Sequence, residues 1–95
     1  MFARITPYKL KSGTVDAATA RARELKDEIM ALPGLIEFTN AVNADGSGYI
    51  VSLVESREIS DSNAERVREI WGKMGEFLAE MPTPGGYDVV DHWET

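Results

Sequence analysis

The chain has 95 residues, 43% of them apolar, no cysteine and a formal net charge of −6. That is the length of one domain, 1–95, too apolar to be disordered and with no disulfide or thiolate-metal site to brace it. The acidic balance and the dispersed Lys and Arg, among which Lys9 and Lys11 come nearest to a patch, argue against a nucleic-acid partner.

Met1 to Pro7 contains Arg4 and no long apolar stretch, so it does not read as a secretory signal. No apolar run approaches the roughly 20 residues of a membrane-spanning helix. A cytoplasmic protein without membrane contact is expected.

Phe2 to Leu10 alternates apolar and polar residues with period two and predicts a first strand. Pro7 lies inside it and predicts a bulge or a break in pairing, because proline cannot donate to a ladder. Ser12-Gly13-Thr14 is a turn. Ala18, Ala22, Leu25, Ile29 and Leu32 recur at helical spacing and predict one helix from Val15 to Leu32, with Arg23 and Asp27 paired on its wet face. Pro33-Gly34 ends it.

Leu35 to Val42 is the second predicted strand, with Ile36, Phe38, Asn40 and Val42 on one face. The run Asn43 to Gly48 is rich in residues that suit a hairpin loop. Tyr49 to Val54 is the third strand, apolar on both faces and therefore central. Ser56 to Asp61 reads as a loop, and Ser62 with Glu65 has the spacing of a capping box. A second helix follows to about Glu80, with Val67, Ile70, Trp71, Met74, Phe77, Leu78 and Met81 on its core stripe. Gly72 and Gly75 within it imply close backbone packing. Met81 to Gly86 is a Pro/Gly stop, and Tyr87 to Glu94 is the last strand.

Strand, helix, strand, strand, helix, strand is the βαββαβ order. With right-handed crossovers it gives a ferredoxin-like α+β fold: an antiparallel four-stranded sheet of order 4-1-3-2 with two helices on one face. The other face is left open although the third strand is apolar on both sides. A homodimer formed sheet against sheet would cover it.

The Lys-Leu-Lys-Ser-Gly turn after the first strand, the Leu-Pro-Gly-Leu close of the first helix, the Asn-Ala-Asp-Gly-Ser-Gly hairpin and the end in His92-Trp93-Glu94 together resemble the dimeric α/β-barrel proteins, especially the antibiotic-biosynthesis monooxygenase-like branch. The likeness is one of layout over nearly the whole chain. It implies a barrel closed across a homodimer. It further implies a small apolar or aromatic ligand and, as an activity, cofactor-independent monooxygenation of phenol- or quinol-type substrates. A non-catalytic binding or structural dimer is the other reading, because fold does not carry function with it. The haem-degrading members use an Asn on the first strand and a Trp and a His on the second helix. Here Trp71 is present, but that Asn and that His are not, so neither haem nor another cofactor is expected.

Asn40, Trp71, Tyr8, Tyr49 and Arg4 are the ligand-binding candidates that the resemblance suggests. Trp71 has the alternative of plain core. Asn40 interrupts an apolar face and would need polar partners if buried. Arg4 would suit a carboxylate or an intersubunit ion pair. His92, the one histidine, is the candidate general base; its alternative is a structural strand residue. No metal site is expected, since the acidic residues of the first helix read as a solvated face.

Overall fold

A computed structural model describes residues 1–95. Strands β1 (Phe2–Lys9), β2 (Leu35–Val42), β3 (Ser47–Val54) and β4 (Gly85–Asp88) form one antiparallel sheet of order β2-β3-β1-β4. This is the expected ferredoxin-like arrangement. Helices α1 (Val15–Glu24), α2 (Lys26–Met30), α3 (Arg57–Ser62) and α4 (Ala64–Gly72), with a 3₁₀ turn at Gly75–Phe77, are the helical segments. No helix is long and apolar enough to cross a membrane.

Leu10, Ala18, Leu25, Ile29, Met74 and Leu78 form the buried cluster between helices and sheet. The helical stripes therefore pack as their spacing predicts, except at Met81, which is exposed because the helical region ends at Phe77, and the helices are segmented. The first breaks at Leu25, whose N–H turns to Ala22 O at 3.0 Å while its side chain is buried. The expected Arg23–Asp27 pair lies across that break; Arg21 pairs with Glu24 instead, at 3.5 Å. The second helical region starts earlier than expected, because Ser56 caps α3 by accepting the Ile59 N–H at 3.2 Å. Ser62, read as a cap, instead donates to Ile59 O. α3 ends at buried Asn63, whose amide donates to Pro33 O at 2.9 Å. That bond ties the helix break to the turn at Gly34, where φ is +72° and a Cβ would lie 2.7 Å from Ile59. A Cβ on Gly72 or Gly75 would meet nothing within 4 Å. These glycines end α4 and open the 3₁₀ turn; they do not serve close packing.

Pro7 causes no break: β1 pairs with β3 continuously from Phe2 to Lys9. The odd-numbered residues of β1 turn their backbone away from β3, as Lys9 O shows by accepting Ala79 N–H at 2.8 Å. The missing donor of Pro7 falls on that side, beyond Ile5 where β4 pairing stops. β2 carries an irregularity between Leu35 and Glu37. It transfers the inward role from Ile36, which is exposed, to Leu35, which packs on the core. The last strand is only Gly85–Asp88, so His92-Trp93-Glu94 lies in an irregular tail rather than in a strand.

Candidate functional site

Alternation sends Arg4, Thr6 and Tyr8 of β1 and Ile50, Ser52 and Val54 of β3 toward the helices. Phe38 and Asn40 of β2 join them. Opposite stand Ala18 and Ala22 of α1, Ser60 of α3, and Ile70 and Trp71 of α4 with Met74 beyond it. Between the two layers is a cavity of about 110 Å³ with 23 lining residues, 16 of them hydrophobic. An apolar cavity of about 150 Å³ takes up a benzene ring; this one is smaller, so a single ring is the most it approaches.

The cavity has two polar regions. In the first, Tyr8 donates its hydroxyl to Asn40 Oδ1 at 2.6 Å. The two residues are on β1 and β2, with β3 between them. The phenol spans that gap because β3 offers Gly48 beneath it: a Cβ there would lie 2.6 Å from Tyr8 Cζ. Trp71 packs against the phenol as a tilted aromatic pair, ring centroids 5.8 Å apart and planes 54° apart. Burial raises the Tyr8 pKa above the ordinary 10.0, with the Asn40 amide acting in the opposite direction. Tyr8 is thus a neutral hydrogen-bond donor at physiological pH and not a base. Asn40 is more exposed than its strand face suggests, yet it has a partner.

In the second region, Arg4 and Ser52 face each other across β1 and β3, with Thr6 next along β1. α3 packs over these strands and brings Ser60 to the cavity. The Ser60 hydroxyl is buried and has no hydrogen-bond partner; such a group costs about 1–3 kcal/mol. The nearest acidic group to the Arg4 guanidinium is Asp61, at 3.9 Å and largely solvated. Thr6, Ser52 and Ser60 were not legible as site residues. Ser60 lies in a segment that reads as loop, although the shared parity of Arg4, Thr6 and Tyr8 would have pointed to Thr6.

Two expected site residues are elsewhere. Tyr49 is 56% exposed, and its odd parity on β3 places it on the sheet face away from the helices. His92 is in the tail beside that same face, 3.8 Å from Glu37 and 3.2 Å from Glu94. It does not line the cavity, because the strand expected to carry it stops at Asp88. Glu37, His92 and Glu94 bring their ligand atoms within 4.8 Å of one another on the exposed surface. Nothing in the sequence signals that grouping, which depends on where the tail lies.

No protein-family model and no curated protein matches the sequence. Solved structures do. One is "Putative antibiotic biosynthesis monooxygenase from Nitrosomonas europaea", with 16% identity and a TM-score of 0.77 over 96% of this chain and 100% of that one. A protein of the same name from Bordetella bronchiseptica aligns with 17% identity and a TM-score of 0.78 over 94% and 96% of the two chains. A protein of unknown function from Nitrosomonas europaea, NE2512, aligns at 8% identity with a TM-score of 0.81 over 99% and 93%. The chain thus has the fold of the antibiotic biosynthesis monooxygenase-like proteins. At these identities the likeness is one of fold.

Proposed function

We propose that this chain is a homodimeric protein of the cytoplasm whose cavity binds one ring-sized apolar or aromatic molecule, and that it oxygenates a phenol- or quinol-type substrate without a cofactor. The carrying observation is the apolar cavity with the Tyr8–Asn40 hydrogen bond and the Trp71 ring on its wall. Few convergent polar groups in an apolar recess are what small-molecule sites have in common. The names of the structural neighbours supply the choice of oxygenation. A quinol and O2 would give a hydroxyquinone and water: one oxygen atom enters the ring, the other leaves as water, and the ring supplies the four electrons. The protein would hold the ring, and the Tyr8 oxygen, whose own proton goes to Asn40, would accept a hydrogen bond from a hydroxyl of it.

Oxygen uptake with a panel of single-ring quinols tests the activity. Uptake should rise above the autoxidation rate, with hydroxyquinone as product, and Trp71→Ala and Asn40→Leu should each reduce it. Uptake at the blank rate for every quinol would remove the oxygenase reading. The cavity volume favours a second reading, a binding protein without chemistry, since Trp71 and Met74 occupy part of the space between sheet and helices. Quinol binding seen by NMR shift perturbation at cavity residues without oxygen consumption would select it.

A further inference from the structure

The second polar region of the cavity has no role in the preceding reading, and its most buried hydroxyl, that of Ser60, has no partner. Ser60 is 3% exposed, lines the cavity and has an unpartnered hydroxyl. Thr6 is equally buried, and neither it nor Ser52 takes part in any side-chain hydrogen bond within the chain. Arg4 is the only charged residue among the 23 that line the cavity. Its side chain is 21% exposed, and its one acidic neighbour is at 3.9 Å with 67% of its own side chain in water. Buried polar groups are ordinarily satisfied. Here the buried Ser60 hydroxyl is left without a partner in a cavity that the neighbouring Arg4, Ser52 and Thr6 of the sheet also line, whereas Tyr8 and Asn40 pair closely.

We infer that Arg4, Thr6, Ser52 and Ser60 form a subsite for an anionic oxygen of the ligand, so that the molecule bound is an aromatic or apolar acid: a carboxylate, or a phenolate or quinolate, with its ring lying toward Trp71. The inference rests on the cavity being a ligand site. A guanidinium supplies charge and a planar set of donors, and the hydroxyls supply neutral donors around the same oxygen. The overall charge of −6 works against anions, so local donors and not long-range attraction must select the ligand. For a quinol the consequence is chemical: holding the ionised form at Arg4 would favour the electron-rich species that O2 oxidises.

Benzoate and benzamide have the same shape and differ in charge, which makes them the probes. Calorimetric titration, with NMR shift perturbation to locate the site, should show benzoate bound more tightly than benzamide by roughly ten- to a hundredfold, the worth of a hydrogen bond to a charged group. Arg4→Met should abolish that preference, bringing benzoate affinity down to that of benzamide. Asp61→Asn, an exposed substitution that frees the guanidinium, should strengthen benzoate binding. Ser60→Ala should weaken benzoate binding while leaving the thermal midpoint of the free protein unchanged or higher, since it deletes an unsatisfied hydroxyl; a merely structural Ser60 would move stability and not affinity. Equal affinity for the two probes in the unaltered protein, or a benzoate preference that survives Arg4→Met, overturns the anionic subsite and leaves the cavity reading standing. Binding of neither probe overturns both.

Discussion

Gly48 shows how a single absent side chain composes the site. Its place on β3 opposite Tyr8 leaves the sheet surface bare where the phenol must cross to reach Asn40. An added Cβ would meet Ala41 O at 2.6 Å and the Tyr8 hydroxyl at 2.7 Å. Gly48→Ala should therefore destabilise the fold by about 1–3 kcal/mol through overpacking, read by urea denaturation. It should also displace Tyr8 and weaken ligand binding in the cavity. Asn40 is legible as a polar residue on an otherwise apolar strand face, and Tyr8 only through the family resemblance; Gly48 reads as part of a hairpin loop, because periodicity says nothing about a position without a side chain. Burial of the Tyr8 phenol gives a titration prediction. Its folded pKa is raised above the unfolded value, so the folded state holds this proton more tightly. The stability it lends is fully present below the unfolded pKa and is lost as pH rises through the folded one. A difference spectrum of phenolate absorbance between the unaltered protein and Tyr8→Phe should show an ionisation above pH 10.0. An ionisation at or below the ordinary tyrosine value would contradict the buried, neutral donor.

At the level of elements, hydrophobic spacing located the helical stripes but not their interruptions. The breaks at Leu25 and Asn63 contain neither proline nor glycine. Their causes are tertiary: one side chain enters the core and the other anchors a turn distant in sequence. The same limit applies to β2, where the irregularity after Leu35 exchanges the faces of two adjacent apolar residues that periodicity cannot tell apart. Local chemistry misled at Ser62, whose capping-box spacing lost to Ser56, seven residues before the tied Asn63 that precedes the next helix. Because α3 is short and carries Ser60, its cap has a functional consequence. Ser56→Ala should cost about 1 kcal/mol and loosen α3 over β1 and β3. Hydrogen exchange should show faster amides at Ile59 and Ser60 than in the unaltered protein, with those of β3 unchanged. Equal exchange across α3 would mean that packing, not the cap, holds the segment.

For the molecule as a whole, the strand order and the single helical layer were readable because alternation and crossover rules leave few options for two helices and four strands. The same reading left one sheet face uncovered, and the homodimer that would cover it is a proposal. Only 15 of the 95 residues are buried in the isolated chain. On the open face or beside it, Tyr49 and Tyr87 are each 56% exposed, and Val90 and Trp93 of the tail are 88% and 87% exposed. Covering a large apolar side chain contributes about 1.5–3 kcal/mol, so a second copy seated here would gain from several at once, in a chain that has no disulfide to stabilise it. The tail lies beside that face, with His92 3.8 Å from Glu37, and its Trp93 is exposed to a partner. Sedimentation equilibrium at micromolar concentration should give twice the 10.5 kDa of one chain. Tyr49→Asp introduces a charge into the seam and should shift the protein to monomer. Its effect on the cavity should be small, since Tyr49 points away from the helices and benzoate binding reports on the opposite face. A single-chain mass for the unaltered protein would refute the dimer. A dimer that survives Tyr49→Asp with unchanged affinity would show that the copies meet elsewhere than on the open sheet.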